Sequence, residues 1–308
     1  MPEQHAPPHR TALLQAILVT FLWSTSWVLI KRGLGSNLPA LTLAGLRYSL
    51  AFLCLVPVVV LNPAHRQTLH RLPLTTWLRL AALGLLVYAL TQGTQFLSLA
   101  SLPAAMVSLL LNLTSVLVAM AGMVLLHEKL TLWQGIAVLA SAVGVAIYFA
   151  PARLPAGQIW GLVAAVVCLL GNTGSALMGR HINRSSNLPP LIITFISMGS
   201  GAIVLLVMGL LTQGVGPLSW TQVAIIVWLA LVNTALAFTL WNNSLRTLTA
   251  TESSVINNLM LPQIAILAYL FLGEGQTWRQ IAGLALVALG TLIVQLARPV
   301  RQAARTTS

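Results

Sequence analysis

Ten apolar runs, each about twenty residues long, follow one another along the chain with short breaks between them. They cover roughly 11–34, 38–61, 74–98, 102–126, 131–150, 157–183, 188–212, 219–245, 249–272 and 277–298. In hydrocarbon every backbone N–H and C=O must be satisfied internally, so such a run crosses only as a helix or as a strand of a closed barrel. A barrel strand alternates apolar and polar residues, whereas these runs are continuous and rich in Leu, Ala and Gly. The fold class is therefore an all-α polytopic membrane protein. Composition agrees. Of 308 residues, 57% are hydrophobic and 6% charged, where a water-facing surface needs roughly a quarter. The breaks, among them "GSNLP", "NPAHRQTLHRLP" and "PARLPAG", are too short to hold a soluble domain.

The net charge of +12 does not point to nucleic acid, because the basic residues sit in short loops and tails rather than along a polar face. With the N-terminus inside, eleven basic residues fall on the inner face and four (Lys31, Arg32, Arg153, Arg279) on the outer, which favours both termini in the cytoplasm of a cell membrane. Cys54 and Cys168 lie in apolar runs without metal or redox spacing. All six His lie in tails, loops or helix ends, and no metal-binding or catalytic constellation is visible. The chain is thus expected to be no enzyme and to need no cofactor or metal. Its expected partners are the lipid bilayer and a small-molecule substrate, as a monomer or homodimer.

Only four residues are acidic, all Glu, and two of them follow apolar runs: "LLHEKLT" (125–131) and "FLGEGQT" (271–277). The chain laid on itself at an offset of 146 matches Ser108 with Ser254, Asn112 with Asn258, Glu128 with Glu274, Thr131 with Thr277, Gln134 with Gln280 and Gly144 with Gly290. Polar matches are rare in this composition, so residues 1–152 and 153–308 read as two copies of a five-helix unit. Five is odd, so the second copy enters the membrane from the opposite side, the inverted repeat typical of secondary transporters. Each Glu is expected to face the N-terminus of the helix that follows it, with Thr131 or Thr277 as cap.

The E-x-x-T turn with Gln and Gly following, "FLWSTSWVLIKRGL" (21–34), "LAGLRYSLAF" (43–52) and "LMLPQIAILAYLFLGE" (259–274) resemble the EamA family of the drug/metabolite transporter superfamily. The resemblance covers nearly the whole chain. It implies ten helices, cytoplasmic termini and export of metabolites, with similar members moving amino acids, some of them aromatic. There is one departure: the first copy has "NLTSVLVAM" where the family has Pro, so the residue that would break the helix is absent there, while Pro262 is present in the second copy.

Polar residues at corresponding depths of two repeats point to a transport site. The first helices offer Trp23, Trp27 and Asn172. The third offer Tyr88, Gln92 and Gln95 at helical spacing, with Asn233 and Trp241 as counterparts. The fourth and ninth end small-residue stripes in Asn112 and Asn258. These ten are the candidate substrate-binding residues; helix–helix hydrogen bonding is the competing role for the amides. Arg47, without an equivalent in the second copy, would be held by backbone carbonyls, Glu274 or a substrate carboxylate. An aromatic and amide lining suits neutral or zwitterionic solutes with an apolar body, moved by alternating access as a uniport or with loose proton coupling. The rivals are a multidrug exporter, with Glu252 as the nearest acid for a lipophilic cation, an integral-membrane enzyme, and a scaffold.

Overall fold

A computed structural model describes residues 7–126, 131–150, 156–185, 188–216, 218–248 and 250–296. Ten spans long and apolar enough to cross a membrane are present among the described residues. They are His9–Gly35, Ala40–Val60, Leu74–Ser101, Ala104–Ala121, Leu132–Phe149, Ile159–Gly179, Pro190–Gln213, Trp220–Trp241, Val255–Leu272 and Trp278–Leu296, each within a few residues of its expected place. The chain is a multi-pass membrane protein. Leu139, Leu170, Leu211, Ile266 and Leu289 project outward, as a lipid-facing surface requires. Trp133, Trp160, Trp220 and Trp278 are exposed at the first or second residue of their helices, the depth at which an amphipathic ring has one apolar and one wet side. The break "NPAHRQTLHRLP" holds a short helix, Pro63–Arg71. Asn62 caps it by accepting from the N–H of Ala64 at 3.0 Å, and Pro63 sits in its first turn.

Two spans are interrupted at the same register. The fourth is built of Ala104–Asn112 and Thr114–Leu126, and the ninth of Ala250–Asn258 and Met260–Leu272. The intervening residues, Leu113 and Leu259, are 146 apart. Each donates its N–H three residues back, to Leu110 at 3.1 Å and to Ile256 at 3.0 Å. In the ninth span Pro262 lacks an N–H and would clash inside a continuous helix; the break places it in the first turn of Met260–Leu272, where neither matters. The fourth span breaks without proline. There the Thr114 hydroxyl donates to the Leu111 carbonyl at 2.7 Å, a side-chain bond that competes with the helical ladder.

The third and eighth spans carry a second matched irregularity. Each widens into a π-helical segment, Leu85–Gln92 and Leu231–Leu236, whose first residues are again 146 apart. Thr91 and Thr234 donate to carbonyls five residues back, Leu86 at 2.7 Å and Leu229 at 2.8 Å.

Interhelical contacts group the helix ends into two sets. Lys31, Ala104 and Glu274 meet at one end of the bundle, with Ser36 and Gln222. His9 meets Glu252, and Thr247 donates to the Pro7 carbonyl, at the other. The fourth span therefore starts at the end where the ninth finishes. The fifth and tenth spans also run in opposite directions, packed through Gly144 and Gly283. A Cβ at Gly144 would lie 2.9 Å from the Gly283 carbonyl, and one at Gly283 would lie 2.7 Å from the Gly144 carbonyl. Neither position accepts a side chain without moving a helix. Gly283→Val should lower stability by about 1–3 kcal/mol through overpacking, seen as an earlier melting transition of purified protein. Gly135→Ala, where a Cβ meets nothing, should leave melting unchanged or raise it.

Candidate functional site

The two interruptions face a common cavity of about 440 Å³. Seven of the ten candidate residues line it: Trp23, Trp27, Gln92, Gln95, Asn112, Asn172 and Asn258. Lining positions recur across the repeat. Ser26 pairs with Asn172, Gln92 with Phe238, Leu111 with Asn257, Asn112 with Asn258 and Thr114 with Met260, each 146 apart. The tenth span ties the two breaks together. Asn258 donates to the Gln295 side-chain oxygen at 3.0 Å, Gln295 donates onward to the Ser115 hydroxyl at 2.7 Å, and Thr291 donates to the Asn112 side-chain oxygen at 3.3 Å.

The other three candidates lie behind the lining. Tyr88 is buried with its ring edge against Tyr48, centroids 5.3 Å apart. It falls inside the π segment, whose wider turn rotates it off the face that Gln92 and Gln95 share. Asn233 is buried and donates to the Leu22 carbonyl and to the Thr25 hydroxyl, holding the eighth span to the first. Trp241 packs its ring 5.3 Å from that of Trp23, which Phe238 flanks at 5.4 Å. It therefore fixes the orientation of a lining aromatic from outside the cavity.

Two residues that periodicity did not select complete the wall. Arg47 and Tyr48 are adjacent on the second span, and each reaches one π segment. Tyr48 donates to the Gln92 side-chain oxygen at 2.6 Å, while Arg47 donates through Nε to the Thr234 hydroxyl at 3.1 Å. Arg47 does not meet Glu274. Among the described residues no carboxylate lines the cavity.

The EamA-like transporter family matches residues 10–150 and again 157–296. The chain belongs to that family. Similar proteins include the uncharacterized transporter YvbV of Bacillus subtilis (strain 168), 27% identical over 97% of this chain and 95% of that one. Protein PecM of Dickeya dadantii (strain 3937) is 25% identical over 73% of this chain and 76% of its own. YoaV, another uncharacterized transporter of Bacillus subtilis (strain 168), is 25% identical over 90% and 94%. A solved crystal structure shares the fold, with a TM-score of 0.63 at 18% identity over 92% of this chain and 97% of that one. Membership in the EamA-like family carries membrane transport of small molecules as the general activity.

Among the described residues of this EamA-like chain, the two acidic side chains, Glu252 and Glu274, stand away from the cavity. Glu252 pairs with His9 at 2.8 Å at one end of the bundle. Glu274 departs from its expected role. It caps not the helix that follows it but the start of the fourth span, accepting from the N–H of Ala104 at 2.7 Å and of Ala105 at 3.4 Å, with the Lys31 ammonium 3.7 Å away. The following helix is closed instead by a reciprocal pair. Thr277 accepts from the N–H of Gln280 at 3.3 Å, and the Gln280 side chain accepts from the N–H of Thr277 at 2.8 Å. Thr131 and Gln134 form the same box in the first copy. The Thr-x-x-Gln spacing already supplied a complete cap, which freed Glu274 to reach another helix; Glu128 lies outside the described residues. Glu274→Ala should lower stability by about 1–2 kcal/mol by stranding the N–H groups of Ala104 and Ala105. Glu274→Gln should restore part of that loss through its amide oxygen, as read by melting of the purified protein.

Proposed function

We propose that this EamA-like protein is a secondary transporter of small organic metabolites that works by alternating access. One observation carries the reading: a cavity lies between two helix interruptions at matching positions of two copies, of which the fourth and ninth spans, and the fifth and tenth, run in opposite directions. Copies so related form an inverted repeat, and rocking one against the other opens the shared site to either side. The charge bias supports cytoplasmic termini in the cytoplasmic membrane, and the drug/metabolite transporter resemblance supports export. The lining of Trp, Asn and Gln favours amino acids, aromatic ones included, and related solutes that stack and hydrogen-bond.

A multidrug exporter is the second reading, favoured by the apolar wall of Phe238, Met260 and Ile264. Glu252, its expected acid, is engaged with His9 outside the cavity. Counterflow of labelled amino acids and nucleobases into proteoliposomes, beside lipophilic cations, separates the two. Saturable exchange of the first set supports metabolite transport; exchange of the cations alone overturns it. Within that assay Trp23→Ala and Asn258→Ala should each weaken solute binding on the order of tenfold, the worth of one desolvated aromatic or amide contact. Trp160→Ala, on the lipid-facing surface, should not. Unchanged binding in both cavity variants contradicts the placement of the site.

A further inference from the structure

Arg47 stands in the wall of the cavity with 5% of its surface exposed. Its protein contacts account for one end of the guanidinium only. Nε donates to the Thr234 hydroxyl at 3.1 Å, and the guanidinium carbon lies 5.1 Å from the centroid of the Tyr48 ring. The Thr234 hydroxyl is itself fixed, since it donates to the Leu229 carbonyl. The ion pairs of His9 with Glu252 and of Lys31 with Glu274 leave Arg47 out. Among the described residues the two terminal nitrogens thus have no acceptor. A guanidinium does not discharge by losing its proton at any physiological pH. An unmatched charge this deep is costly unless an anion or water answers it.

We infer that Arg47 is a carboxylate-binding residue of the transport site, and that the solute is an organic acid with an apolar or aromatic body. The inference rests on the transporter reading above and deepens it. The planar fork of terminal N–H donors matches the two oxygens of a carboxylate. Nε is spent on Thr234, which holds the fork in one orientation. Trp23, Trp27 and Phe238 provide the apolar surface for the body of the solute, and Gln92 and Asn172 hydrogen-bond its remaining polar groups. No carboxylate among the described residues lines the cavity to receive an ammonium, so a free acid without an amino group fits as well as a zwitterion. The equivalent of Arg47 in the second copy is Ile193. The charge therefore marks one side of an otherwise matched cavity and orients the solute within it.

The test uses full-length protein in nanodiscs and matched probes: phenylacetate, phenylacetamide, phenethylamine and phenylalanine. Both carboxylates should bind about tenfold or more tighter than the amide and the amine, the margin of one charge-assisted hydrogen-bonded pair. Arg47→Gln should abolish that preference, bringing the affinity for phenylacetate down to that for phenylacetamide. Wild-type protein supplies a measurement that does not depend on a variant folding: modification of Arg47 by an arginine-selective dicarbonyl, read by mass spectrometry, should be blocked by phenylacetate and not by phenylacetamide. Equal binding of acid and amide, a preference that survives Arg47→Gln, or modification unaffected by saturating phenylacetate overturns the inference. If amides or amines exchange in counterflow without carboxylate preference, transport stands and the role of Arg47 falls. If no solute of any class exchanges, both fall.

Discussion

A helix that breaks inside a bilayer leaves N–H and C=O groups that hydrocarbon cannot satisfy. The rest of this structure follows from where two such breaks can be tolerated. Leu113 and Leu259 interrupt the fourth and ninth spans facing a shared polar space, and Gln295 and Thr291 of the tenth span bind the residues on either side. Moved to a lipid-facing position, the same interruptions would be unpaired. The cavity is thus a condition of the broken helices, and the π segments extend that logic. They loosen the third and eighth spans at matching heights and bring Gln92 and Thr234 within reach of Tyr48 and Arg47.

The frame of the cavity is symmetric and its chemistry is not. Asn112 and Asn258 keep the same side chain at paired positions, whereas Ser26 corresponds to Asn172, Gln92 to Phe238 and Thr114 to Met260. In the proposed transport cycle, matched backbones let the copies exchange roles, while unmatched side chains give the solute two different walls. Ties of unlike kind hold the two ends of the bundle. Glu274 with the Ala104 N-terminus and Lys31 closes one, and His9 with Glu252 the other.

The spans, the repeat and the Thr131 and Thr277 caps were legible in sequence because each rests on local rules: run length, self-similarity and a hydroxyl at a helix start. So were Trp23, Gln92, Asn112, Asn172 and Asn258, polar or amphipathic residues at matching depths. What escaped obeys none of these rules. The reach of Glu274 to another helix is one such case. The break at Leu113 has no proline to announce it and depends on the Thr114 hydroxyl. Tyr88 was placed by a regular helical period that the π segment violates. Asn233 carries the same amide as the lining residues, and only the packing of the eighth span on the first turns it away. Arg47 was visible as a costly charge, but its partner, a hydroxyl 187 residues along the chain, was not.

Alternating access requires the two ends to open reciprocally around the cavity, and paired spin labels follow both ends at once. With Cys54 and Cys168 replaced by Ala, labels at Gly35→Cys and Gly275→Cys report one end of the bundle, and labels at Arg10→Cys and Arg246→Cys the other. Distances are then measured by pulsed electron resonance with and without a solute that exchanges in counterflow. Alternating access predicts that one distance lengthens as the other shortens. Distances that move together, or that both stay fixed in protein that transports, would contradict it.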